Sequence, residues 1–386
     1  IKIIGDNTDQ YAQGYFVYDS KKAGAITVSH VRCGKDPIHS PYLIDKANFV
    51  ACHNFSFLEK LDMLYNIIQG GTFLLASPYN KDEVWDKLPY EVQESIIGSK
   101  VKFYVIDAIA LAKSLGLGAR INMIMQTAFF VISGILPKDK AIAAIKDSIN
   151  KTYGKKGEKV VKMNFSAVDG ALESIQEVSV PDKATSTFKR PPVVPEDAPE
   201  FVKRVIGTII KSRGDDLPVS AMPDDGTFMT ATTQYEKRNI AVDIPVWDEE
   251  VCTQCGQCSL ICPHAAIRQK AYDPKYLDDA PPTFKSADAR GKNFKGLKYT
   301  IQVAPEDCTG CNLCVYVCPA HKKGADGKLT DEKAVRMMPQ IPLREQEREN
   351  YKFFLNLPET DPSLFNVATI KGSQFVRPLF EYSGAC

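Results

Sequence analysis

The chain lacks an excess of either charge: 48 Lys and Arg stand against 47 Asp and Glu, for a formal net charge of +1. Such a balance creates no global field for a nucleic-acid backbone or an acidic lipid surface. It also lacks an apolar run of membrane-spanning length. The longest candidate, Ile121–Leu136, is interrupted by Gln126, Thr127, Ser133 and Gly134. No secretory leader is visible, and there is no initial Met. The chain opens on Ile1-Lys2-Ile3-Ile4-Gly5 and ends on Gly384-Ala385-Cys386, which reads as a segment of a longer polypeptide. The first residues, through Ile4, read as a strand, and no glycine series follows, so Gly5-Asp6-Asn7-Thr8 reads as a strand-to-helix turn with an Asp or Asn cap more than as a phosphate-cradling helix start. What remains is an ordinary soluble composition, 44% hydrophobic and 25% charged over 386 residues, long enough for two or three domains.

Cysteine is the exception. Of eleven, eight fall in two runs: Cys252, Cys255, Cys258 and Cys262 before Pro263, and Cys308, Cys311, Cys314 and Cys318 before Pro319. Both read C-x2-C-x2-C-x3-C-P, the spacing by which bacterial two-cluster ferredoxins hold a pair of 4Fe-4S cubes. Three closely spaced thiolates reach three corners of one cube. The fourth cysteine leads away to the other. Cys252, Cys255, Cys258 and Cys318 are therefore expected to hold one cluster, and Cys308, Cys311, Cys314 and Cys262 the second. Structural zinc would favour separated cysteine pairs, and a disulfide framework suits small secreted domains. Clusters and free thiols point to a reducing interior, hence a cytoplasmic setting. His264 and His321 follow the two Cys-Pro pairs, but the thiolate count is complete without them.

Residues 1–195 alternate strand-like and helix-like patterns. Ile26–Val31, Phe49–Cys52, Thr72–Ala76 and Lys102–Ile106 read as strands. Asn54 can cap a helix through Leu58 and Leu64. Pro89 opens one carrying Val92, Ile96 and Ile97, and Pro137 separates Ile121–Ile135 from Asp139–Ile149. The alternation predicts an α/β layer domain with a largely parallel sheet. Two lysines in Asp19-Ser20-Lys21-Lys22-Ala23-Gly24 could meet a phosphorylated ligand or simply form a solvated turn. Asn122 and Gln126 share a helix face, as buried hydrogen-bonding amides or as a ligand edge. Cys33 and Cys52 read as small buried apolar residues.

Pro181–Pro199 reads as an extended linker and residues 196–240 as a connector with a short helix over Phe201–Lys211. Residues 241–345 read as an α+β ferredoxin-like domain with two clusters. The 45 residues between Cys262 and Cys308 exceed what a compact two-cluster ferredoxin needs; the excess is a brace against another domain or a docking face for a redox partner, and Tyr299–Val303 should be a strand. Residues 346–386 are polar and read as a linker leading onward.

On Ile3–Lys22, Arg120-Ile121-Asn122 and the two cysteine runs, the chain resembles the central part of the pyruvate:ferredoxin (flavodoxin) oxidoreductases. The resemblance implies a coenzyme A-binding α/β domain, a connector, a two-cluster ferredoxin domain and a run into a thiamine diphosphate domain. It implies that Lys22 contacts the coenzyme A phosphates and Asn122 hydrogen-bonds the same ligand. It matches Cys386 to the first ligand of a third 4Fe-4S cluster. Thiamine diphosphate with Mg2+, and pyruvate, would bind outside this segment, as would a glycine-rich loop preceding Ile1. The implied activity is oxidative decarboxylation of pyruvate to acetyl-coenzyme A by a homodimer, with electrons relayed to ferredoxin or flavodoxin. A stand-alone electron carrier and a scaffold module within another 2-oxoacid oxidoreductase are the other classes compatible with the residues.

Overall fold

A computed structural model describes residues 1–18, 27–59, 61–237, 239–324 and 326–378. They divide into two compact units, one of residues 1–18, 27–193 and 207–218, the other of residues 194–206 and 219–378.

The first unit contains β1 (Tyr11–Tyr18), β2 (Thr27–Gly34), β3 (Ala47–Cys52), β4 (Ile67–Ala76), β5 (Lys102–Ile106) and β6 (Gln176–Glu177). β3, β4 and β5 are parallel, and β6 closes the order β3-β4-β5-β6 antiparallel to β5. β4 is apolar at consecutive positions because both of its faces are covered. Phe73 and Leu75 pack with Leu58, Leu88, Val92 and Ile96, while Leu74 and Ala76 pack with Ile124, Ala128 and Ala171 on the other side. This is the expected α/β layer arrangement. Helix Tyr90–Gly98 follows Pro89, helix Asn122–Ser133 stops at Gly134 (φ +65°), and helix Lys138–Tyr153 follows Pro137. Asn54 caps only a 3-10 turn, Phe55–Glu59, its Oδ1 accepting from the Ser56 amide at 3.1 Å.

Three expectations need correction. Ile3 and Ile4 belong to a helix, Lys2–Asn7, because both side chains bury against Phe130, Leu136 and Ile145. Thr8 Oγ1 donates to Ile4 O at 2.6 Å and Asn7 Nδ2 to Ile3 O at 2.9 Å. Gly5–Thr8 is thus a C-terminal turn, which presents carbonyls rather than amides, and is no phosphate cradle. The strand expected over Ile26–Val31 is seen as β2, with Ile26 outside the described residues. It pairs antiparallel with β1, from Tyr11↔Gly34 to Tyr18↔Thr27, and takes no part in the parallel sheet. Cys33 lies on β2 and is exposed, whereas Cys52 is buried as expected.

The proline-rich stretch after β6 is extended but not loose. Gln93 is fully buried, and its Oε1 accepts from the Thr185 and Ser186 amides at 2.8 and 2.9 Å. Its Nε2 donates to Trp85 O at 2.7 Å. Tyr90 N donates to Phe188 O at 2.7 Å, and Arg190 Nε to Leu58 O at 3.0 Å. The stretch is a strap on this unit, and the Gln93 amide is its buried anchor. Gln93→Leu, which keeps the bulk but abandons these partners, should lower stability by about 1–3 kcal/mol. A shift of the urea midpoint checks this; no shift would mean that the strap is held elsewhere.

The second unit contains β7 (Asp243–Trp247), β8 (Ile267–Tyr272), β9 (Ala287–Asp288), β10 (Lys298–Val303), β11 (His321–Lys323), β12 (Leu329–Lys333) and β13 (Val335–Pro339). β7 pairs with β13, β11 with β12, and β10 lies between β8 and β9, all antiparallel. Each cysteine run follows a strand, β7 or β10, and ends in a one-turn helix, Gln257–Ile261 or Leu313–Val317. Tyr299, Ile301, Val303, Trp247 and Phe375 form the core with the thiols.

The long insertion is a brace within its own unit rather than against another domain. Lys285 Nζ donates to Trp247 O at 2.6 Å, Thr283 meets Asn350 at 3.0 Å, and Phe284 packs edge-on to Phe353 at 4.7 Å. The polar stretch expected to be a linker is instead helix Gln340–Asn356, which buries Asn350, Tyr351 and Phe354. Beyond it the chain stays pinned to β8. Lys270 Nζ donates to Leu357 O at 2.6 Å, Thr360 Oγ1 accepts from the Ala271 amide at 2.9 Å, and Gln269 Nε2 donates to Lys371 O at 2.8 Å.

Candidate metal centre

The two cysteine loops are built alike. Two residues after its first cysteine each loop turns left-handed, at Gln254 (φ +58°) and Gly310 (φ +69°). It does so again two residues later, at Gly256 (φ +77°) and Asn312 (φ +67°). These turns aim backbone amides at sulfur: Gln254 N lies 3.2 Å from Cys252 Sγ and Gly310 N 3.4 Å from Cys308 Sγ. Gly256 has a further reason to lack a side chain, since a Cβ there would sit 3.1 Å from the Lys371 Cα.

The thiols gather in two groups, each of which crosses between the loops. Burial raises the Cys252 thiol pKa, and the neighbouring Cys255 and Cys318 add repulsion. Burial pushes Cys258 up to about 12, with Cys252, Cys255, Cys314 and Cys318 around it. On the other side burial pushes Cys308 up to about 12 and Cys314 to about 11, and both feel Cys262 and Cys311. Cys262, Cys308, Cys311 and Cys314 line one cavity together with His264 and Ile267. Among the described residues no three His, Cys, Asp or Glu side chains close on a single ion.

An all-sulfur donor set suits iron–sulfur chemistry, with Cys252, Cys258, Cys314 and Cys318 buried, Cys255, Cys262 and Cys308 half-buried and Cys311 exposed. Thiolates so desolvated need a cationic partner, and iron supplies one. Two further groups fit a cluster and are otherwise unexplained. The buried Trp247 Nε1 has no hydrogen-bond partner among the described residues, and it faces Cys252 closely enough to offset part of the burial effect on that thiol. Ser259 Oγ, next to Cys258, is likewise buried without a partner. The residues present fit two cubes. His264 is buried beside the second group, and His321 Nδ1 lies 2.8 Å from Thr330 O.

Asn122 is exposed at the start of helix Asn122–Ser133, with Gln126 half-buried one turn on. Lys22 and Cys386 lie outside the described residues. Sequence reasoning passed over Trp247 and Lys371. A buried indole five residues before the first cysteine was a usable signal, but nothing local marks Lys371, which sits more than a hundred residues beyond that loop.

Residues 1–174 match the family described as pyruvate ferredoxin/flavodoxin oxidoreductase. Residues 187–241 match a domain of unknown function, and residues 251–322 a 4Fe-4S dicluster domain. Over its whole length the chain is 54% identical to a putative pyruvate-flavodoxin oxidoreductase of Synechocystis sp. and 52% identical to the pyruvate-flavodoxin oxidoreductase of Nostoc sp.. It is 51% identical to the pyruvate:ferredoxin oxidoreductase of Moorella thermoacetica. In each case it covers all of this chain but only 32% of the relative's length. No described helix is long and apolar enough to cross a membrane. An α/β unit and a paired-thiol unit, with identity of this order along the entire chain, place it in the pyruvate ferredoxin/flavodoxin oxidoreductase family, as a segment about a third the length of those relatives.

Proposed function

We propose that the eight grouped cysteines bind two 4Fe-4S clusters, and that these relay electrons within an enzyme converting pyruvate and coenzyme A to acetyl-coenzyme A and CO2. The observation that carries this reading is the crossed grouping of thiols, Cys318 with Cys252, Cys255 and Cys258, and Cys262 with Cys308, Cys311 and Cys314. Each cube, when bound, accepts and passes on one electron at a time. The protein holds the thiolates, aims the Gln254 and Gly310 amides at sulfur and excludes water with the core around Tyr299.

Thiamine diphosphate with Mg2+, and a third cluster beginning at Cys386, belong to the full-length enzyme in this reading. The enzyme would be a cytoplasmic homodimer. Ferredoxin or flavodoxin takes the electrons, as the relatives' names say of them. A pyruvate dehydrogenase [NADP(+)] of Cryptosporidium parvum, 41% identical along this whole chain and covered over 21% of its own length, favours a second reading for the last step alone. The same segment can feed a different terminal acceptor.

Lys22 and Asn122 are assigned to coenzyme A. In the full-length protein, under anaerobic conditions, pyruvate should reduce ferredoxin or flavodoxin only when coenzyme A is supplied. Lys22→Ala or Asn122→Ala should raise the KM for coenzyme A roughly tenfold, the loss of one charged or polar contact, with kcat at saturation unchanged. Pyruvate-independent behaviour would refute the activity, and an unchanged KM in both variants would refute the two assignments.

A further inference from the structure

The two cysteine groups have unlike surroundings. A half-buried ammonium lies beside the group of Cys252 and Cys255, on Lys371. Its Nζ donates to Arg290 O at 2.7 Å and lies 3.5 Å from Gln254 Oε1, the side chain of the loop residue between those cysteines. It also sits over the rings of Phe294 and Tyr299, 5.1 and 5.5 Å from their centroids. Tyr299 is fully buried and its hydroxyl is occupied by Gln269 Oε1 at 2.7 Å. The backbone places Lys371 tightly: its Cα stands against Gly256, and its carbonyl accepts from Gln269 Nε2. On the same group, Trp247 is 4% exposed, and its indole N–H has no other partner among the described residues.

We propose that Lys371 and Trp247 together raise the midpoint potential of the cluster held by Cys252, Cys255, Cys258 and Cys318. The inference rests on the cluster reading above. One-electron reduction adds one negative charge to the cube and its sulfurs. A nearby ammonium and a buried, unpartnered indole N–H stabilise that charge, the more so because ring faces rather than water surround the ammonium. Lys371 needs its charge for this, and Trp247 needs only its N–H.

The test is a dithionite titration of the full-length protein followed by electron paramagnetic resonance, with iron counted first. Cys318→Ser identifies which signal belongs to this cluster. In Lys371→Gln the potential of that signal should fall by about 59 mV, a tenfold loss in its reduction equilibrium, and the other signals should stay put. Lys371→Arg should restore it. Trp247→Phe, which keeps a ring against Tyr299, should lower the same signal and no other. Should Lys371→Gln lose the cluster, Trp247→Phe decides alone. Full iron with unchanged potentials in Lys371→Gln and Trp247→Phe would overturn the proposal. Absence of iron from the unsubstituted protein would overturn the cluster reading instead.

Discussion

Cys318→Ser is expected to remove about half of the iron held by the two cubes, and the cluster it removes should be the one whose other ligands lie on the first loop. The expectation follows from placement. Helix Leu313–Val317 ends at Cys318, whose thiol is felt by Cys252 and Cys258. Helix Gln257–Ile261 ends at Cys262, which is felt by Cys308 and Cys314 and itself feels Cys311. A second substitution makes the crossing visible. Adding Cys252→Ser to Cys318→Ser attacks the same cube and should cost little more iron. Adding Cys308→Ser attacks the other cube and should remove nearly all of it. Iron and acid-labile sulfide on anaerobically reconstituted protein report both. If the Cys318→Ser/Cys308→Ser pair kept half its iron and the Cys318→Ser/Cys252→Ser pair kept none, each loop would be filling its own cluster, and the crossed assignment would be wrong.

Phe354→Ala should be among the most damaging single changes outside the cysteines, at about 3–5 kcal/mol. The ring is fully buried on helix Gln340–Asn356 and stacks on Tyr351 with centroids 5.6 Å apart. Two cations from β8 lie over it, Lys270 Nζ at 4.9 Å and the Arg268 guanidinium at 5.5 Å from the centroid. Removing the ring opens a cavity and strips the π face from two buried cations. Lys270 also holds the Leu357 carbonyl and pairs with Glu359 at 3.1 Å, so the chain beyond the helix should loosen too. Urea unfolding followed by cluster absorbance measures the loss, and amide exchange at Ala271, bonded to Thr360, reports the loosening. Phe354→Leu should cost distinctly less. A loss below about 1 kcal/mol for the alanine variant would mean that the helix is held by other contacts.

Local chemistry was enough for the cysteine loops. Thiol spacing, the proline after each fourth cysteine and the strand before each loop are short-range features, and chain geometry over ten residues leaves them few arrangements. The same holds for helix ends at Pro89, Gly134 and Pro137, where φ restrictions act on single residues. Misreadings came where a residue's role depends on a distant partner. Ile3 and Ile4 look strand-like until Phe130 and Ile145 cover them. The charged run Arg344–Lys352 looks like a linker because its buried stripe is narrow. Only the fit of Tyr351 and Phe354 to β8 and the brace makes it a helix.

What the sequence by itself determined is the inventory: an α/β part, a paired-thiol part and a family resemblance carried by short motifs. The tertiary structure decided which groups meet. It set Gln93 under the strap, Trp247 against Cys252 and Lys371 against the first cysteine loop. The physical reason is that burial and Coulomb interactions act across space with no regard for separation along the chain, whereas spacing and backbone preference act only along it.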